Sequence, residues 1–327
     1  MRFALHHTEP LSEGLRRLYD EQLALARAHL AAPDDGAVHE TRKALKRLRS
    51  LLRFARGALD DDHRQRENVR FRTAGRLLSD ERDAAVLIDT LDAVAEEPGA
   101  PTDALGPLRA RLVADHAVVA DPDRLARQAA RADDLLAAAH PLPALPTDHD
   151  ALLAGVARTY RAAARTLWEA AEAAWDPERD TDAAPWHEAR KRAKDLWHHQ
   201  QVLAVAWPPV LEAWAEEAHR HSALLGDHHD LAVLGGRLGL PTRIGAATPR
   251  IEPPAGGAAT AAELDAAAAR QLAEALARRQ QRLEARALAL GGRLLAERPR
   301  SHRRRLARLL AAHEADPLGP APAWGAD

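Results

Sequence analysis

Two short segments each occur twice in this chain, in the same order and at nearly the same spacing. That duplication limits the possible folds more than any other feature. Val38 to Arg49 reads V-H-E-T-R-K-A-L-K-R-L-R, and Trp186 to Trp197 reads W-H-E-A-R-K-R-A-K-D-L-W. Each is followed by an echo: L-L-S-D-E-R-D-A-A-V-L from Leu77 and L-L-G-D-H-H-D-L-A-V-L from Leu224. The offset is 148 between His39 and His187 and 147 between Asp80 and Asp227. Ordered recurrence at one spacing marks a repeated structural unit. The halves fall at about 5–140 and 149–313, divided by the cluster Pro141, Pro143 and Pro146.

The repeated unit reads as helical. Hydrophobic residues make up 46% of the chain but aromatic residues only 4%, and the alanine and leucine that dominate, set among Glu and Arg, favour helices. No alternating strand pattern appears. Three- and four-residue periodicity predicts helices over 9–31, 36–59, 63–97, 103–119, 122–139, 149–175, 185–205, 208–238, 260–297 and 300–313, with breakers such as Pro98-Gly99, Asp121-Pro122 and Pro208-Pro209 between them. Gly239 to Thr260 reads as a long loop, and 314–327 as a disordered tail. There is no cysteine, no signal-like start, and no uncharged apolar run near the ~18 residues that a membrane span needs. A cytoplasmic protein is the expectation.

Charge is separated along the chain. The net charge is −2, which argues against a uniformly basic nucleic-acid binder. Yet Gly36 to Arg56 carries seven positive residues against Glu40, Arg293 to Arg308 carries seven arginines against Glu297, and Ser79 to Glu97 sets seven acids against Arg82. On the helix at 36–59, Val38, Leu45, Leu48, Leu52, Ala55 and Leu59 form an apolar seam that should be buried. His39, Arg42, Lys46, Arg49, Arg53 and Arg56 form a second seam about 100° away. Like charges at these intervals repel by a few tenths of a kcal/mol per pair, so a helix selected for stability alone would mix acids among them. This one does not, which points to an anionic ligand.

The set H-x-x-R-K-x-x-K-R-x-R followed by L-L-x-D-x-x-D-x-x-V-L, duplicated in an alanine-rich helical chain, resembles the CHAD family, the conserved histidine α-helical domain. The resemblance covers about residues 5–313; A-L-A-L-G-G-R-L-L-A-E-R-P from Ala287 is similar to that family's last helix pair. It implies an all-α fold of two helical bundles related by a pseudo-twofold, with basic faces meeting along a central groove. It also implies non-catalytic binding of inorganic polyphosphate; no cofactor is expected, and no metal. By motif position it assigns binding to His39, Arg42, Lys46 and Arg49, to His187, Arg190, Lys191 and Lys194, and to Arg82 in the first echo. Lys43 and Arg53 of the same basic run, and Arg293 and Arg298 of the C-terminal one, complete the candidate set. Asp195 and Trp197 stand where the first copy has Arg47 and Arg49, so the second basic seam is thinner. Placement on polyphosphate granules is compatible with this reading.

The chemistry of the residues agrees independently. A polyphosphate chain carries about one negative charge per phosphate and offers no base edges to read, so it calls for many Arg and Lys donors. A histidine beside a polyanion gains a proton and a donor. Other readings remain. A partner enzyme that metabolises polyphosphate or triphosphate would make this chain a targeting subunit; the chain itself has no E-x-E-x-K motif for triphosphate chemistry. Nucleic-acid binding ranks third, because few aromatics interleave with the basic ladders. Asp227-His228-His229-Asp230, with His219 or His221, suggests a metal-dependent hydrolase, but Arg82 in the matching position of the first copy is a poor ligand. Trp168, Trp175, Trp207 and Trp214 recur at helical intervals and read as core or interface.

Overall fold

The computed structural model describes residues 3–7, 9–78, 80–119, 121–175, 184–240 and 264–315. Most of the expected 239–260 loop and of the tail lies outside them. Among the described residues eleven α-helices form and no strand does; an isolated backbone bridge joins Arg56 to Leu59. In chain order the helices are α1 (Leu11–Leu30), α2 (Asp35–Phe54), α3 (Asp61–Leu77), α4 (Asp80–Ala95), α5 (Leu105–Val119), α6 (Pro122–Ala137), α7 (His149–Trp175), α8 (Ala184–Leu203), α9 (Pro208–Leu238), α10 (Ala266–Leu294) and α11 (Pro299–Glu314). No helix among the described residues is long and apolar enough to cross a membrane.

Local chemistry explains where several of these helices start and stop. Asp34, Asp60, Asp121 and Asp265 each sit one residue ahead of a helix and accept hydrogen bonds from its first free N–H groups, as at Ala37 N, 2.7 Å from Asp34 Oδ1. The helix expected over 36–59 ends at Phe54, and Gly57 then adopts φ 105, a left-handed turn. The helix expected over 63–97 is in fact two, α3 and α4. Leu78 leaves helical geometry at φ −107, ψ 19, and its carbonyl accepts a 2.7 Å hydrogen bond from Arg42 Nη1 instead of continuing the ladder. The second copy has no such break: α9 runs through Leu225 and Gly226 as one helix.

Helix contacts before and after the Pro141–Pro146 cluster run in a similar order. α1 lies on α2 as α7 lies on α8, α2 on α3 as α8 on α9, α4 on α5 as α9 on α10, and α1 on α6 as α7 on α11. The halves are also interleaved. One core gathers Leu15, Tyr19, Leu48, Phe54 and Phe71 of the first half with Leu152, Val156, Leu203 and Leu306 of the second. Another joins Leu87, Leu91, Val94 and Leu108 of α4 and α5 to Leu234 of α9 and Leu272 and Leu276 of α10. The apolar seam read on α2 is buried throughout: Val38, Leu45, Leu48, Leu52, Ala55 and Leu59 all belong to the first of these cores. Of the tryptophans read as core or interface, the Trp175 side chain lies outside the described residues. Trp168 and Trp207 are exposed, at 60% and 49%, and only Trp214 of the described side chains packs against the main core.

The end of α2 is where α7 approaches most closely. A Cβ at Gly155 would stand 1.9 Å from the Phe54 carbonyl oxygen and 2.6 Å from that of Arg53, so only glycine lets α7 pass. Arg158, one turn on, donates to the Arg56 carbonyl at 3.2 Å. Together they hold the C-terminal end of α2 in place.

Candidate anion-binding cleft

Helices α2 and α8, which carry the two copies of the first motif, touch each other. Ser50 Oγ donates to the Asp195 carbonyl at 3.4 Å, and His199 Nε2 donates to the Ser50 carbonyl at 3.0 Å. Arg53 Nη1 reaches the buried Asp195 carboxylate at 3.1 Å. On one side of this crossing the helices diverge around a cleft of about 790 Å³. His39, Arg42, Lys43, Lys46 and Arg47 line it from α2, and His187, Arg190, Lys194, Trp197 and His198 from α8. Val86 and Leu87 of α4 and His219, His229, Asp230 and Val233 of α9 close it. Among these described lining residues Asp230 is the one acid, against six Arg and Lys and five His.

Burial, and after it the neighbouring cations, disfavours the charged forms of several of these groups. Burial and the neighbouring Arg190 pull the Lys194 ammonium down to about 8, with Asp230 opposing them. Burial, then Arg190 and His187, take His229 to about 3. His187, whose ring lies 4.8 Å from that of His229, is lowered by burial and by Lys191 and Arg190. His198 falls well below the usual imidazole value, chiefly through burial and then Lys194. Lys194, His187, His198 and His229 are therefore held in a partly desolvated setting with cations close by, while Lys43 is paired with Glu40 at 3.3 Å. A ligand that brings several negative charges would relieve that repulsion.

Seven of the sequence candidates meet in this cleft: His39, Arg42, Lys43 and Lys46 from α2, and His187, Arg190 and Lys194 from α8. The rest stand elsewhere. Arg49 donates to Asn68 Oδ1 of α3 at 3.2 Å, and Arg53 is held by Asp195. Lys191 is exposed and paired with Glu188 at 2.7 Å. Arg293 and Arg298 are exposed and do not line the cleft. The Arg82 side chain lies outside the described residues.

Sequence reasoning missed part of the lining. Trp197, which breaks the basic pattern of α8, stacks on His219 at 4.2 Å and has Lys194 Nζ 5.9 Å from its ring centroid. His229 and Asp230 belong to the D-H-H-D run. They reach the cleft because α9 packs along α8, which the echo alone does not reveal. The other members point elsewhere: His228 is buried against Glu284 at 3.1 Å. Among the described residues no three His, Asp or Glu side chains gather to hold a metal.

Comparison with known proteins bears on family. The CHAD domain model matches residues 13–239, more than half of the chain, ending at the C-terminus of α9. No curated protein matches. Among solved structures, PptA from Streptomyces chartreusis is similar at 21% identity, covering 88% of this chain and 98% of that one with a TM-score of 0.46.

Proposed function

The chain belongs to the CHAD family, and on that premise we propose that it binds inorganic polyphosphate, non-catalytically, in the cleft between α2 and α8. The observation that carries this reading is the lining itself: six Arg and Lys side chains drawn from two separate helices face one another with Asp230 as the single described acid. Phosphate oxygens accept charge-assisted hydrogen bonds from such donors, and arginine takes them in pairs. Attachment to polyphosphate granules, or to an enzyme that makes or degrades the polymer, belongs to the same proposal.

Titration of long-chain polyphosphate against the wild type and Lys46→Ala/Lys194→Ala tests the reading. Each residue supplies one cation from opposite walls. The variant should bind roughly tenfold more weakly, and the logarithm of the wild-type affinity should fall linearly with log salt, by the counterion logic known for nucleic acids, with a slope of about 0.7 per phosphate contact. Unchanged affinity in a variant with native circular dichroism would remove the cleft from consideration. Preference for DNA over polyphosphate in direct competition would move the chain to the nucleic-acid class.

A further inference from the structure

The cleft accounts for α2 only as far as Lys46 and Arg47. Beyond it, α3 runs antiparallel alongside the same basic seam. Arg42 donates to Leu78 at the end of α3, Leu45 comes within van der Waals reach of a Cβ built at Gly75, and Arg49 donates to Asn68. The stretch of α3 between Asn68 and Leu78 therefore borders α2 from Arg42 to Arg49. Arg72 and Arg76 lie there, one and two turns from Asn68 on the same face, about 6 and 12 Å along the helix axis. Both are exposed. They are close enough to Arg49 that, after burial and Arg53, their charges help draw its pKa down to about 10. Neither lines the cleft.

We infer that Arg72 and Arg76 form a second wall of a track continuous with the cleft, so that the protein selects long phosphate polymers over short ones. This rests on the polyphosphate reading above. A short ligand is satisfied by Arg42, Lys46, Arg190 and Lys194 within the cleft. Only a chain that runs out past Lys46 along α2 reaches Arg49 and the two α3 arginines. Sequence motifs give no hint of them, because Arg72 and Arg76 belong to neither repeated segment.

The test pairs Arg72→Gln/Arg76→Gln with long-chain polyphosphate and with tripolyphosphate, each titrated at several salt concentrations. Long-chain binding should weaken roughly tenfold and its salt slope should fall by about 1.5, while tripolyphosphate moves by less than about twofold. Arg72→Lys/Arg76→Lys, which keeps the charge, should retain most of the long-chain affinity. The control Arg304→Gln/Arg308→Gln makes the same charge change on the exposed face of α11 and should leave both ligands alone. Equal loss for the two ligands, no loss for the long one, or an equal effect of the control would overturn the inference while leaving the cleft reading standing. Failure of the wild type to bind either ligand would overturn both.

Discussion

Burial and Arg190 hold the Lys194 ammonium near 8, low enough that its proton becomes a reporter of the cleft. The sign is fixed by the chemistry. In the empty cleft the charged form is disfavoured; a bound polyanion favours it and returns the pKa toward its ordinary value. Binding near pH 8 should therefore take up protons, and affinity should fall as pH rises through about 8. Calorimetry in buffers of different ionisation enthalpy measures the uptake directly. His187 and His229 are neutral in the empty cleft at pH 7 for the same reason, so lowering the pH toward 5 should strengthen binding further. Lys194→Arg keeps a cation that does not deprotonate, and the step near 8 should vanish while affinity is retained. Persistence of that step in the arginine variant would assign it to another group.

Gly155 shows how much of the site depends on helices rather than on the residues that line it. α7 crosses the C-terminal end of α2 so closely that a methyl group there meets the Phe54 carbonyl. Gly155→Ala should cost at least the ~1–3 kcal/mol typical of overpacking, read as a lower thermal midpoint, and should loosen Arg53 and its Asp195 contact. A midpoint equal to wild type would mean α7 can move aside at no cost. Periodicity made most helices legible: the buried seam from Val38 to Leu59 and the basic seam beside it were both readable from spacing. What it could not supply was the partner of each face. The D-H-H-D run shows His229 but not which helix it faces, and Trp197 reads in the sequence only as a thinner basic seam, because its contact with His219 depends on how α9 packs on α8. The break at Leu78 was hidden too, since the sequence around it is as helical as the rest. It is stabilised by Arg42, a residue 36 positions away.

The packing of α4 and α5 on α9 and α10 ties the halves into what we expect to be a single cooperative unit. Leu276→Ala, at a fully buried position of that shared core, should destabilise by about 2–5 kcal/mol, and the melt should remain one transition. Two separated transitions would show that the halves unfold independently. The arrangement also has a cost in time. Leu91 and Leu276 belong to one cluster but are 185 positions apart in the chain. At ~5–20 residues per second, the leucines of α4 and α5 wait roughly 10–40 s during synthesis before α10 exists to cover them. For that interval the newly made first half carries an uncovered greasy flank in a crowded cell, and the protein's yield in vivo should depend on whatever chaperone shields it.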